Sequence, residues 1–389
     1  MTAIYLDHAA TTPVDPRVKE AMLPYFDLEY GNPSSVHRLG RKARFVIEEC
    51  RERVAALIGA EPSEVIFTSG GTESDNLAVR GGLMASGRPH GVTSAAEHEA
   101  VLRPFQRLGR RGEPVTVLRP AGNGSVSVRQ LEEVLQPETG LVSFMHANNE
   151  VGTLSPIAEM VELCRRNGTL MHTDAVQTAG LMPLDVGELG VDLMSASAHK
   201  FYGPKGAGLL FIRSGVDLHP LIEGGAQERR RRGGTENVPA IAGLTEALTL
   251  ARQEGDEWYA RILSLRRRLL NGLAAMIPGE YRLNTPQSED QTVPGIVNLS
   301  FPPSDGHRLD GEMLLLNLDM EGVLVSAGSA CTSGAVEPSH VLRAMAVPDD
   351  TAAASVRFSL GKGTTDEEID RAIDVLTKTL RRMKRQVTA

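Results

Sequence analysis

Apolar positions along the chain switch between two periods. Over residues 36–59, Val36, Leu39, Ala43, Ile47, Cys50, Val54 and Leu57 recur at steps of three and four, a pattern that predicts an amphipathic helix stopped by Gly59. Residues 64–68 form a short apolar run that predicts a strand, and Ser69-Gly70-Gly71 turns the chain into a helix near Thr72. The same alternation continues. A strand is predicted over 141–145, then a helix with Pro156 in its first turn that ends at Asn167-Gly168. Further strands are predicted over 169–174, 192–196 and 208–212. Repeated strand–helix units with continuous apolar strands predict an α/β fold with a mainly parallel sheet. Near residue 254 the composition shifts. A long charged helix over 239–276, strands over 293–301 and 355–360, a helix over 307–319 and a last helix from Asp366 predict a smaller C-terminal α/β domain.

Length agrees with two domains, since 389 residues exceed one ordinary core. Lys plus Arg is 41 and Asp plus Glu is 49, a net charge of −8, which argues against direct nucleic-acid binding. No apolar run reaches the ~18 residues a membrane span needs, so no membrane partner is expected. The first residues carry neither a basic nor an apolar leader pattern. Cys50, Cys164 and Cys331 are far apart and form no CxxC, so neither a zinc ribbon nor a disulfide framework is expected. Together these features predict a cytoplasmic, reducing setting.

Four places can carry chemistry. Lys200 follows a predicted strand and precedes a Gly/Pro loop; burial there frees the amine for Schiff-base chemistry, whereas a solvated lysine does nothing. Asp174 ends a strand, where α/β sheets bind ligands, and suits a pyridinium nitrogen or, more blandly, a helix cap. The turn Thr68-Ser69-Gly70-Gly71-Thr72-Glu73 suits a phosphate or an ordinary connection. Cys331 sits among small polar residues in Ser326-Ala327-Gly328-Ser329-Ala330-Cys331-Thr332-Ser333-Gly334, a setting for a reactive thiol, while Cys50 and Cys164 fall on apolar helical positions. There is no GxxxxGK[ST] or GxGxxG, and no HExxH to support a metalloenzyme built on His8, His98, His172 and His199.

The order of these elements resembles the group I cysteine desulfurases (NifS/IscS type) of the fold-type I, class V aminotransferase enzymes. The resemblance runs from Leu6-Asp7-His8-Ala9-Ala10-Thr11-Thr12-Pro13 through Gly31-Asn32-Pro33, Glu97-His98, Asn148-Asn149-Glu150-Val151-Gly152 and His172-Thr173-Asp174-Ala175-Val176-Gln177. It continues in Ser197-Ala198-His199-Lys200, Gly234-Thr235-Glu236-Asn237, the Cys331 segment and Glu337-Pro338-Ser339-His340. It implies a large domain, residues 15–257, with a mainly parallel seven-stranded sheet, and a small domain of 1–14 and 258–389 that carries the cysteine loop.

The resemblance implies pyridoxal 5′-phosphate (PLP) as cofactor and L-cysteine as substrate. Lys200 matches the Schiff-base lysine, Asp174 the partner of the ring nitrogen, Gln177 the donor to the ring hydroxyl and His98 the stacking imidazole. Thr72, Ser197 and His199 match phosphate ligands with the Gly71 backbone, and Thr235 a phosphate contact donated across a homodimer. Asn149 and Arg357 match the substrate-carboxylate groups. Cys331 matches the nucleophile that takes sulfur as a persulfide, leaving alanine, and passes it to an iron–sulfur scaffold or another acceptor. It is also a candidate transient iron–sulfur ligand. A selenocysteine lyase or another class V PLP enzyme is the alternative. Arg229 to Arg232 reads as a solvated run adding positive potential near the phosphate. Ala226 departs from the His or Gly frequent in relatives.

Overall fold

The computed structural model describes residues 3–304, 307–327 and 338–387. Its centre is a seven-stranded sheet of β2 (Val65–Thr68), β3 (His90–Ser94), β4 (Val115–Leu118), β5 (Thr139–Ser143), β6 (Leu170–Asp174), β7 (Leu193–Ser197) and β8 (Gly208–Ile212), in the order β2-β8-β7-β6-β5-β3-β4. Strands β4, β3, β5, β6 and β7 are mutually parallel, as the alternating pattern predicts. Strand β8 is antiparallel to both β7 and β2. A strand buried on both faces reads the same in either direction, so the Gly208-Leu209-Leu210-Phe211-Ile212 run carries no signal of its reversal. The short link from β7 to β8 has no room for the crossover helix a parallel neighbour needs.

Helices cover both faces. The Arg38–Ile58 helix buries Ala43, Ile47, Cys50, Val54 and Ile58, begins with the His37 ring accepting the Gly40 amide, and ends at Gly59 with φ 70°. A side chain at Gly59 is excluded twice over, by that left-handed backbone and by Asp185 atoms 2.4 Å from where a Cβ sits. Burial raises the pKa of both Cys50 and Cys164, that of Cys164 to about 12, so both thiols act as small apolar groups.

The 39-residue Val238–Met276 helix is about 58 Å long at 1.5 Å per residue. Its first half packs on the Arg38–Ile58 helix and its second on the final Asp366–Val387 helix. Beside that second half lies a three-stranded antiparallel sheet of β9 (Arg282–Leu283), β10 (Ile296–Ser300) and β12 (Ser355–Ser359), ordered β12-β10-β9. The N-terminal strand β1 (Ile4–Tyr5) joins this end of the molecule by pairing with β11 (Val323–Leu324). The predicted helix over 307–319 begins later, at Gly311, because the Asp310 carboxylate caps the Met313 amide. No helix among the described residues is long and apolar enough to cross a membrane.

Candidate active site

The carboxyl ends of β5, β6 and β7 open into one cavity of about 290 Å³ that communicates with solvent. This is where open α/β sheets place ligands. Asp174 reaches it as the last residue of β6, and Gln177 from the turn that follows. Ser197 ends β7, and His199 and Lys200 lie on the 3-10 turn Ala198–Lys200. Gly71 and Thr72 come from the start of the Gly71–Asn76 helix, His98 from the cap of the Glu99–Arg110 helix, and Asn149 from the loop after β5. Gly71 is needed for closeness: a Cβ there would lie 2.8 Å from Val176 Cγ2 on the facing wall.

Two of the expected residues lie outside this cavity's lining. Thr235 is exposed and lines a neighbouring cleft with Arg232 and Asn237. Arg357 is buried beside the cavity, donating to the Asn149 carbonyl (2.8 Å) and the Asp7 carboxylate (2.7 Å). Among the described residues, its Nε and the Asn149 Oδ1 are buried without a hydrogen-bond partner. Cys331 falls outside the described residues.

The ionisable groups are set by burial first. Lys200 has its pKa lowered from 10.5 to about 8 by desolvation and by the nearby Arg357, against an opposing pull from Asp174 and Asp7. Its Nζ donates to the carbonyls of Ala9 and Ala10. The His98 ring faces the open cavity, yet the protein packed around it desolvates it and lowers its pKa, with Asp174 opposing; Nδ1 accepts the Ala100 amide at 3.1 Å. Burial holds His199 at about 4, its Nδ1 paired with Thr11 Oγ1 at 3.1 Å. Both imidazoles are therefore neutral at pH 7. Asp174 is pushed up by burial, offset by His98, by the Val176 amide (2.9 Å) and by Lys200.

Some of the site has no counterpart in the sequence reading. Asp75 lines the cavity at 1% exposure, and the equally buried Glu97 accepts the Met145 amide through one carboxyl oxygen while the other has no partner among the described residues. In Gly71-Thr72-Glu73-Ser74-Asp75-Asn76 an aspartate looks like an ordinary surface helix residue; only the sheet behind it buries it. The arginine run also differs from expectation. Arg232 spends its charge on Glu73 (2.9 Å), which in turn accepts the Ser69 amide, so this arginine adds little free positive potential. Glu228, just before the run, is 5% exposed and grips Arg51.

These residues fit a pyridine aldehyde phosphate. The Lys200 amine is held by carbonyls alone, a buried carboxylate and an orphaned amide oxygen face the same space, and Gly71 leaves room at a turn that presents free amides. The fold and cavity are those of a PLP-dependent transferase, and the chain belongs to the class-V aminotransferase family, whose model matches residues 4–372. Among its relatives is the cysteine desulfurase IscS of Dictyoglomus turgidum, 47% identical over 98% of this chain and 95% of that protein. A NifS-like protein of known structure is 37% identical with a TM-score of 0.89, covering 98% of this chain and 100% of its own. The NifS-like protein from Rickettsia africae is 31% identical with a TM-score of 0.85, covering 98% and 99%.

Proposed function

We propose that this protein is a PLP-dependent cysteine desulfurase. The observation that carries the reading is the meeting of Lys200, Asp174, His98 and Asn149 in one cavity, in a chain 47% identical to a protein of that activity. When bound, PLP supplies a ring that withdraws electrons from the substrate's α-carbon. Asp174 would hold the ring nitrogen, Gln177 the ring hydroxyl, and His98 would stack on the ring. Gly71, Thr72, Ser197 and His199 would hold the phosphate. Lys200, with a pKa near operating pH, holds the cofactor and moves the proton at the substrate α-carbon. Arg357, held beside Asn149 at the edge of the cavity, supplies the guanidinium for the substrate carboxylate. Cys331 attacks the substrate sulfur as thiolate: the substrate C–S bond breaks, an S–S bond forms, and L-alanine leaves. The persulfide is then passed to an iron–sulfur scaffold or another acceptor in the cytoplasm.

The working unit in this reading is a homodimer. Leu23, Phe26, Leu28, Tyr30, Val36 and Phe45 are exposed large apolar residues in one stretch of chain, and Tyr30 shares a cleft with Thr235. A second copy seated there brings its Thr235 to the phosphate of the first. Residues 15–257 form the cofactor domain, and 1–14 with 258–389 the small domain; the β1–β11 pairing supports placing the N-terminus with the latter. The test is alanine and sulfide release from L-cysteine. Cys331→Ala is expected to abolish both while keeping the cofactor's absorption, and Lys200→Ala to abolish that absorption. Undiminished cysteine turnover by Cys331→Ala sinks the desulfurase reading.

A further inference from the structure

Ser339 and His340 take no part in the reaction just described, yet each holds a different loop of the active site. They open the short helix His340–Ala344. Ser339 is 3% exposed. Its hydroxyl donates to the carboxyl group of Glu150, which is itself buried, and accepts the Val341 and Leu342 amides at 3.1 and 3.3 Å. Glu150 directly follows Asn149. His340 Nε2 lies 2.9 Å from the Glu97 carbonyl. A carbonyl only accepts, so Nε2 carries the proton and donates it. Glu97 directly precedes His98. Two consecutive residues thus grip the chain neighbours of two residues that line the cavity.

Apolar packing repeats the arrangement. Val341, Leu342 and Met345 belong to one buried cluster with Ala96 and Val151. Ala96 stands two residues before His98, and Val151 two after Asn149. The two loops are also joined directly. The Asn148 side chain donates to the Ala96 carbonyl (2.8 Å) and accepts the Glu150 and Val151 amides at 2.8 and 2.9 Å. The backbone beside His98 and Asn149 is thereby fixed by buried, directional contacts, and their side chains line the cavity. A simple helix cap, when lost, loosens both loops together. Here each loop has its own partner, so the two effects separate.

We infer that Ser339 and His340 are positioning residues: Ser339, acting through Glu150, sets Asn149 against the substrate carboxylate, and His340, acting through the Glu97 backbone, sets His98 against the cofactor ring. This rests on the readings of Asn149 and His98 given above.

The experiment is a pair of double-variant cycles on the full-length protein, with the PLP dissociation constant and, on the PLP-loaded protein, KM for L-cysteine measured for every variant. Ser339→Ala is expected to raise KM about fivefold or more, with PLP affinity unchanged. In an Asn149→Ala background it is expected to change KM no further. His340→Phe is expected to weaken PLP binding about threefold or more, and to add nothing to His98→Ala. His340→Gln, whose side-chain amide can also donate to the Glu97 carbonyl, is expected to restore the affinity. Additive losses in either cycle, equal effects of both variants on both constants, or no effect of either single variant overturn the proposal. If Asn149→Ala and His98→Ala by themselves leave both constants unchanged, the roles given to those side chains fall, and the proposal with them. If Ser339→Ala fails to fold, Ser339→Gly takes its place, since it removes the same hydroxyl at a cap position that tolerates glycine.

Discussion

Glu228 holds Arg51 through two parallel hydrogen bonds, Nη1 to Oε2 at 2.8 Å and Nη2 to Oε1 at 2.9 Å, with both side chains nearly sealed from solvent. The same Oε2 accepts the Phe67 amide at 2.9 Å, and Arg51 Nη1 also donates to the Val65 carbonyl. The pair thus ties the Arg38–Ile58 helix, edge strand β2 and the loop leading to Thr235 at one point. It pins a strained stretch, since Glu228, Arg229 and Arg230 all have positive φ (42°, 55° and 64°). Glu228→Ala leaves a buried guanidinium without its counter-charge and is expected to cost about 3–5 kcal/mol in urea unfolding. A loss below about 1 kcal/mol would show that the loop is held by other contacts.

Lys200 makes the cofactor-free protein respond to pH. Its folded pKa, about 8, lies below the ordinary 10.5, so between these values the unfolded chain binds more protons than the folded one. Stability from this group therefore rises with pH through that window, by up to about 3 kcal/mol. Lys200→Met removes the titration. Its stability relative to wild type is expected to fall as pH goes from 7 to 10.5, read from paired unfolding curves in which other groups cancel. A difference that does not change with pH would place the Lys200 pKa near its ordinary value.

The close approach of Gly71 to Val176 predicts a repairable defect. Gly71→Ala drives a methyl against Val176 Cγ2 and is expected to weaken PLP binding by about 1–3 kcal/mol, the usual cost of overpacking. Val176→Ala supplies the missing room, so the double variant is expected to recover most of the affinity. Additive losses in the double variant would mean that the two positions do not share this contact.

Arg357 offers a geometric test of carboxylate binding. Lysine keeps the charge but lacks the fork that spans Asp7 and the Asn149 carbonyl. Arg357→Lys is expected to raise KM for L-cysteine about tenfold to a hundredfold, with kcat less affected. A fall in kcat at constant KM would assign Arg357 to the chemical step.

How much of this was legible beforehand depends on how far apart the interacting residues lie. The Arg38–Ile58 helix was readable because its buried face repeats within one segment and Gly59 ends it. Strands β6 and β7 were readable from their apolar runs, and with them Asp174 and Lys200 at the strand ends. Strand β3 carries no such run: His90-Gly91-Val92-Thr93-Ser94 is mostly polar, and its His90 is buried by bonds to Thr139 and Thr116 that only the folded sheet supplies. Asp75 was invisible for the same reason. So was the Arg51–Glu228 pair, whose members are 177 positions apart. The roles given to Gln177, Thr235 and Arg357 came through family resemblance, since nothing local to those residues announces them.

The N-terminal strand has a consequence in the order of synthesis. Residues 3–10 place the carbonyls of Ala9 and Ala10 on the Lys200 amine. Yet they are held from the other side, by β11 and by Ser359, whose hydroxyl takes the Ala9 amide at 2.9 Å. This segment thus cannot settle until Ser359 has been made. At roughly 5–20 residues per second, the interval between Lys200 and Ser359 is about 8 to 32 s. Throughout it the nascent chain carries Lys200 without the two carbonyls that hold it in the finished protein.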